Sequence, residues 1–172
     1  MENLMDYVRK NHLQAGLAFD GDADRCLAVD EKGNMVDGDF LIAICADDFH
    51  RRGKLKGDAV VGTVMTNMGF QKFCEEKGLR FEATKVGDRY VLEEMLLSGY
   101  NIGGEQSGHI IFSDFATTGD GQLTGVQLMS IMKRRNETLS EMAKVMKRYP
   151  QVLINVKISN EMKPKFYTDK HI

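Results

Sequence analysis

The chain has 172 residues, of which 42% are hydrophobic, 28% charged and 8% aromatic, a balance that supports a globular core of one domain, or one domain and part of another. Lys and Arg number 23 against 25 Asp and Glu, and the resulting net charge of −2 offers no positive field to a polyanion, so no nucleic-acid partner is expected. The longest apolar run, 40–46, is far short of the roughly 20 residues that cross a bilayer, and the N-terminus lacks the basic and apolar regions of a signal peptide, so the expectation is a cytoplasmic chain with no membrane partner.

Leu4, Met5, Val8 and Leu13 recur at helical spacing, and Gly16 then introduces the strand-like run Leu17-Ala18-Phe19. An acidic segment follows at 20–25, then a second strand over Cys26–Val29, a turn at Lys32-Gly33-Asn34 and the pair Met35-Val36. A buried helix is predicted over Phe40–Phe49, and 59–64 is the most strand-like segment of the chain. Asn67 can cap a helix over Met68–Lys77 that Gly78 ends, after which Leu79–Ala83 returns as a strand. Asp88 can open a helix over Tyr90–Leu97 closed by Gly99, and Tyr100-Asn101-Ile102 leads into a glycine-rich turn. A strand is expected over His109–Phe112, a helix over Gln122–Arg134, and a shorter helix over Ser140–Arg148 that Pro150 breaks. Val152, Ile154, Val156 and Ile158 alternate with other residues, the period of a half-buried strand, and the segment 159–172 has the composition of a linker. Strands alternating with helices of this length predict an α/β fold, with a mixed, mainly parallel sheet and helices on its faces. Cys26, Cys45 and Cys74 are widely spaced and lack a C-x-x-C, so buried thiols are expected.

Two loops carry chemistry. Asp20-Gly21-Asp22-Ala23-Asp24-Arg25 puts three carboxylates at alternate positions straight after an apolar strand. Two unit charges 4 Å apart repel by about 4 kcal/mol at an effective dielectric near 20, so three converging carboxylates call for a cation. Oxygen donors favour Mg²⁺, Mn²⁺ or Ca²⁺ over zinc and leave coordination positions for water or phosphate. An EF-hand would match Asp20, Asp22, Asp24 and Glu31 in spacing, but its obligatory glycine is here Arg25 and its flanking helices are here strands. An aspartate-based phosphatase could use Asp20 as nucleophile and Asp22 as acid/base, which leaves Asp24 and Arg25 unexplained. Arg25 suits a phosphate ligand or an internal ion pair. The second loop, Gly103-Gly104-Glu105-Gln106-Ser107-Gly108-His109, collects a carboxylate, an amide, a hydroxyl and an imidazole among glycines, groups that can hold sugar hydroxyls or phosphate or simply stabilise a turn.

Together, the two loops, about 80 residues apart, resemble the α-D-phosphohexomutase superfamily, as do Val86-Gly87-Asp88-Arg89-Tyr90-Val91 and Thr117-Thr118-Gly119-Asp120-Gly121, so the resemblance runs over residues 4–158. Gln106 and the Val-Gly-Asp-Arg-Tyr-Val segment are similar to the bacterial branch acting on glucosamine phosphates; branches acting on mannose or glucose phosphates are the alternative, as is a binding module without catalysis. The resemblance implies four domains, of which residues 1–35 are the end of the second with its metal loop, 36–158 the third with its sugar loop, and 159–172 a linker toward the fourth. It implies a fragment lacking domains 1 and 4 of the same polypeptide, since neither the family's phosphoserine loop nor its C-terminal phosphate loop occurs here. A homodimer is among the assemblies it allows for the intact protein. By the same resemblance, a phosphoserine elsewhere converts glucosamine 6-phosphate to glucosamine 1-phosphate through a 1,6-bisphosphate. Asp20, Asp22 and Asp24 would hold Mg²⁺, Arg25 would neutralise the transferring phosphoryl group, and Glu105 and Ser107 would bind sugar hydroxyls. His109 would touch substrate phosphate or move a proton, and Arg89, counted among the substrate-binding residues, would position the loop; Lys85 could face the cleft or the solvent. Ala23 departs from the glycine of many relatives.

Overall fold

Apolar residues two apart along the central strands point into two separate cores, so helices are needed on both sides of one sheet. A computed structural model describes residues 1–154 and 157–166. The chain opens with helix α1 (Glu2–Lys10) and an antiparallel meander of β1 (Ala15–Phe19), β2 (Cys26–Asp30) and β3 (Met35–Val36). Helix α2 (Gly38–Arg51) leads to β4 (Ala59–Thr63), α3 (Met68–Lys77), β5 (Arg80–Thr84), α4 (Asp88–Ser98), β6 (Ile102–Gly104) and β7 (Ile110–Phe112). These four strands form a second sheet in the order β5-β4-β6-β7, parallel at β4–β5 and β4–β6 and antiparallel at β6–β7. The sheet is therefore mixed and mainly parallel, as the alternation predicts. Helices α5 (Gly121–Arg135), α6 (Leu139–Met142) and α7 (Lys163–Phe166) complete the order.

Val60, Ile102, Ile110 and Phe112 enter one core with residues of α2, α3 and α5, while Ala59, Val61 and Ile111 enter another with Val91 and Met95 of α4. This is the period-two division of a strand buried on both faces. Ala28 and Val36 of the meander join the larger core, so the first sheet packs onto α2 and α5 without a break in the apolar interior. Phe70 stands edge-on to Phe73 and Phe81, with centroids 5.7 and 5.5 Å away, and anchors α3 to β5. Among the described residues no helix is long and apolar enough to cross a membrane.

The caps read from the sequence form at both ends of α3. Asn67 accepts from the Gly69 N–H, and Gly78 closes α3 in the left-handed conformation. Helix α2 begins earlier than expected, because the Asp37 side chain caps it at the Phe40 N–H. Three expectations need correction. The first two glycines of the turn expected after Ile102, Gly103 and Gly104, belong to a strand, in which Gly103 has no side chain because Met95 and Val91 fill the space a Cβ would need. The helix expected over Ser140–Arg148 is a single α turn followed by a 3-10 turn over Ala143–Val145. Residues 147–151 instead form a strap, with the Tyr149 N–H donating to Asn67 Oδ1 (3.0 Å), Asn67 Nδ2 donating to Tyr149 O (2.8 Å) and Arg148 pairing with Asp37 (2.6 Å). The strand expected over Val152–Ile158 is absent from the described residues, and Val152, Leu153, Ile154 and Ile158 are exposed, since no neighbouring strand is there to pair with them. Residues 155–156 of that expectation, and 167–172 of the linker, lie outside the described residues. All three cysteines are free and buried, as expected, and burial pushes the Cys45 and Cys74 thiols up to about 12.

A buried charge network joins α2, α3 and α5. Arg135 pairs with Asp47 (2.9 Å) and Asp48 (3.5 Å), Arg51 and Lys77 also reach Asp47, and Arg52 and Arg134 reach Asp48. Burial alone would raise the Asp47 carboxyl, but the Lys77 hydrogen bond and the charges of Arg51, Lys77 and Arg135 outweigh it and hold it below the ordinary value. Arg135→Met removes the cation shared by both carboxylates, while four other partners remain. The expected loss is about 2–3 kcal/mol, read as a fall of roughly 5–10 °C in thermal unfolding midpoint.

Asp39, in the first turn of α2, behaves in the opposite sense. Burial raises its carboxyl from 3.8 to about 6, opposed by the Asn67 amide, reinforced by Asp37 and offset in part by Arg148. Between those pH values the folded chain keeps a proton that the unfolded chain has released, so this group's contribution to stability falls as pH rises from about 4 to about 6 and is constant above. Asp39→Asn should therefore gain stability relative to the unaltered chain by about 2–3 kcal/mol on going from pH 4 to pH 7, measured by urea unfolding at both.

Candidate metal and sugar-phosphate site

The acidic loop leaves the end of β1 and turns at once, with the Ala23 N–H donating to Asp20 O (3.2 Å). Ala23 adopts φ +58°, a left-handed conformation that costs an L-residue roughly 1–2 kcal/mol. The turn gathers one oxygen each from Asp20, Asp22 and Asp24 within 4.8 Å of one another. Asp24 Oδ1 is buried without a hydrogen-bond partner, an arrangement that a bound cation would satisfy. Three hard oxygen donors, one orphaned in this way, fit a hard divalent ion. Arg25 lies beside them, its Nε 3.5 Å from Asp20 Oδ2 and 3.7 Å from Asp24 Oδ1, and its guanidinium is half exposed, so it is loosely held and open to an anionic ligand.

The second loop is a tight turn between β6 and β7. The Glu105 N–H donates to His109 O and the Gly108 N–H to Glu105 O, both at 3.0 Å. The turn rests on the start of α2, where the Gly38 N–H donates to Gln106 O (3.0 Å). It also joins the acidic loop through the main chain, because Arg25 and His109 form an antiparallel bridge and the Cys26 N–H donates to Gly108 O (3.0 Å). Gly108 has φ +95°, and a Cβ there would collide with Cys26 O, so only glycine permits the approach. A third segment closes the arrangement, with the Gly121 N–H donating to Ala23 O (2.9 Å).

The residues singled out in the sequence separate into two groups. Asp20, Asp22, Asp24, Arg25 and His109 converge. His109 is buried, with its side chain 5% exposed, and its Nδ1 lies 3.0 Å from Asp24 Oδ2 while its Nε2 lies 3.1 Å from the Gly119 N–H. Glu105 is half-buried at the loop's start, where its Oε1 accepts from the Gly87 N–H (3.0 Å), and Ser107 is exposed at the tip. Arg89 does not join them: its guanidinium is 81% exposed and pairs with Glu93 one helical turn on (2.8 Å). Lys85 lies 5.8 Å from the centre of the Tyr90 ring. Two participants escaped the sequence reading. One is the Gly119 amide, which no side-chain pattern advertises. The other is Asp88, whose Oδ2 is 4.0 Å from His109 Nε2 and whose expected capping role passes to Gly87. A cleft of about 500 Å³ borders the second loop at Gln106, walled by Asn67, Arg148, Tyr149 and Gln151.

A family model described as Phosphoglucomutase/phosphomannomutase, alpha/beta/alpha domain III, matches residues 37–149. The chain belongs to the phosphoglucomutase/phosphomannomutase family. A curated relative named phosphoglucosamine mutase, from Caldanaerobacter subterraneus subsp. tengcongensis, is 57% identical over 171 residues, 99% of this chain and 38% of that protein. This chain thus spans little more than a third of the relative's length. Among solved structures, a phosphoglucomutase/phosphomannomutase family protein from Burkholderia thailandensis aligns at a TM-score of 0.73 and 23% identity, over 88% of this chain and 32% of the other. Aspergillus fumigatus N-acetylphosphoglucosamine mutase, solved with GlcNAc-6P and magnesium, aligns at 0.67 and 21%, over 87% of this chain and 38% of the other. At these identities the structural matches establish the shared phosphohexomutase fold. Within the family chain, replacing Asp22 and Asp24 together by Asn should abolish the heat of binding hard divalent cations in titration calorimetry while leaving the circular dichroism spectrum unchanged.

Proposed function

We propose that this chain supplies the Mg²⁺-binding and sugar-binding loops of a phosphohexomutase that interconverts glucosamine 6-phosphate and glucosamine 1-phosphate. The observation that carries the reading is the main-chain junction of the two loops, which brings three carboxylates and a guanidinium beside a turn bearing Glu105 and Ser107. The choice of glucosamine over glucose or mannose is supported by the phosphoglucosamine mutase name of a relative at 57% identity. Assignment of 1–35 to the end of one domain and 36–158 to the next is supported by the family model's start at residue 37.

Asp20, Asp22 and Asp24 would hold Mg²⁺, which when bound supplies charge neutralisation to a transferring phosphoryl group. Arg25, loosely paired and half exposed, turns its planar fork toward phosphoryl oxygens when they arrive. Glu105, fixed by the Gly87 amide, accepts from sugar hydroxyls, and Ser107 offers its hydroxyl from the exposed tip. A rigid loop with these two groups can hold the hexose in either orientation, as a 1,6-bisphosphate intermediate requires. Arg89 fits a part in placing the substrate only after leaving Glu93, and His109, whose ring nitrogens lie against Asp24 and the Gly119 amide, meets substrate phosphate or moves a proton once substrate displaces one of those contacts. No serine of these 172 residues stands in the sequence context of the family's phosphorylated nucleophile.

Glucosamine 6-phosphate at millimolar concentration should shift the amide resonances of residues 104–109 of the chain. The chain incubated with that sugar phosphate, Mg²⁺ and a catalytic amount of hexose 1,6-bisphosphate should form no glucosamine 1-phosphate. Unshifted resonances would overturn the sugar-loop role; product above a no-protein control, lost in Asp22→Asn, would show that the phosphoryl acceptor lies within these residues.

A further inference from the structure

The turn between β6 and β7 has its seat on the residues that open α2. Gly38 carries it: the Gly38 N–H donates to Gln106 O (3.0 Å), and a Cβ there would collide with Glu105 O, Gln106 O and the Gly108 nitrogen, so helix and turn meet main chain to main chain. The two neighbours of this glycine are buried carboxylates held from elsewhere in the chain. Asp37, besides capping α2 at the Phe40 N–H, accepts from the Arg148 guanidinium (2.6 Å), and Asp39 Oδ2 accepts from the Asn67 N–H (2.9 Å). Asn67 in turn holds the strap at Tyr149 through both the oxygen and the nitrogen of its side chain, and Gln151 Nε2 donates to Met65 O (3.0 Å). The hydrogen bonds and the ion pair of the strap thus end either on Asp37 or on the segment just before α3 that holds Asp39.

The strap itself is suited to detach. Met146 is the last buried side chain before it; Lys147, Arg148, Pro150 and Gln151 are exposed, and Tyr149 is half-buried, its ring met by the ammonium groups of Lys72 (4.8 Å from the centre) and Lys147 (5.6 Å). A segment held by polar contacts, with little buried apolar area, opens at a much lower free-energy cost than a core element. The cleft of about 500 Å³ beside Gln106 has Asn67, Arg148, Tyr149 and Gln151 among its walls, so lifting the strap would open the cleft and free Asp37 in one movement. From this geometry we propose that residues 147–151 are a latch. Docked, they hold the Asp37-Gly38-Asp39 seat and with it the turn bearing Glu105 and Ser107; lifted, they release the seat and open the cleft beside it. Arg148 is in this sense a positioning residue that acts on the turn through Asp37. Only the effect of the latch on sugar-phosphate affinity rests on the sugar-binding role proposed for that turn.

Amide hydrogen exchange of the 172-residue chain, followed residue by residue by NMR, tests the latch by altering one end and reading the other. Arg148→Met should speed exchange of the Gly38 N–H about fivefold or more, and Asp37→Asn, which keeps a side-chain acceptor for the α2 cap, should do the same at the Tyr149 N–H. Arg148→Lys, which keeps the charge, should stay within about twofold of the unaltered chain. Amides of the β1–β2 ladder should be unchanged in all three. Exchange at Gly38 indifferent to Arg148→Met, or at Tyr149 indifferent to Asp37→Asn, would overturn the proposal. Equal acceleration in the β1–β2 ladder, the mark of a general loss of stability, would overturn it as well, and so would Arg148→Lys behaving as Arg148→Met. Glucosamine 6-phosphate supplies a second readout, because Asp37 is buried and is not a wall of the cleft. A higher midpoint for the shifts of residues 104–109 in Asp37→Asn is the result expected, and an unchanged midpoint would overturn the bearing of the latch on binding. Absence of any shift in the unaltered chain would overturn the sugar-binding role of the turn, while the exchange rates still decide the latch.

Discussion

The arrangement of the site depends on one close main-chain approach, the antiparallel bridge between Arg25 and His109 with its hydrogen bond from Cys26 to Gly108. Each loop alone is a short turn between strands. The bridge makes them neighbours, and the rest of the molecule secures the two strands that end there. β2 packs onto α2 and α5, while β6 and β7 are buried between α4 on one face and the main core on the other. Since the bridge consists of backbone groups with few degrees of freedom, the relative position of the loops is set before any ligand arrives. Preorganisation of this kind removes the cost of bringing the carboxylates and the second loop together at the moment of binding.

Helix α2 is the element through which other parts of the chain reach the site. Its N-terminus supports the turn of the second loop at Gln106, its capping residue Asp37 is held by Arg148 from the strap, and its C-terminal half carries Asp47 and Asp48 into the buried charge network. It is buried along nearly its whole length, so the charged groups on it are either paired or, like Asp39, made harder to ionise. A displaced helix would move the turn between β6 and β7 with it.

The strands and helices of the central sheet were legible because their local signals agree with the tertiary fold. Asn67 and Gly78 mark the ends of α3, and the alternation of β4 with its flanking helices predicts a parallel pair. Legibility fails where context overrides pattern. Two of the three residues of β6 are glycine, so it reads as a turn, yet it is a strand because α4 packs directly against its backbone. Val152, Ile154 and Ile158 alternate like a strand, but alternation needs a partner edge, and these side chains remain exposed. At the site, the aspartates and the second loop announce themselves by side-chain type. Arg89 pairs with Glu93 on its own helix, a contact that the motif does not announce. The contact between His109 and Gly119 is invisible in sequence, because an amide N–H is common to almost every residue.

That the second loop is seated by its backbone has a consequence for how such a protein can change. The carbonyl of Gln106, not its side chain, meets the start of α2, and Ser107 projects from the tip without a role in holding the turn. Side chains at 106 and 107 can therefore vary while the scaffold around the carboxylates stays in register. Exposed groups at the tip can thus be exchanged without disturbing the peptide bridge that keeps the two loops side by side.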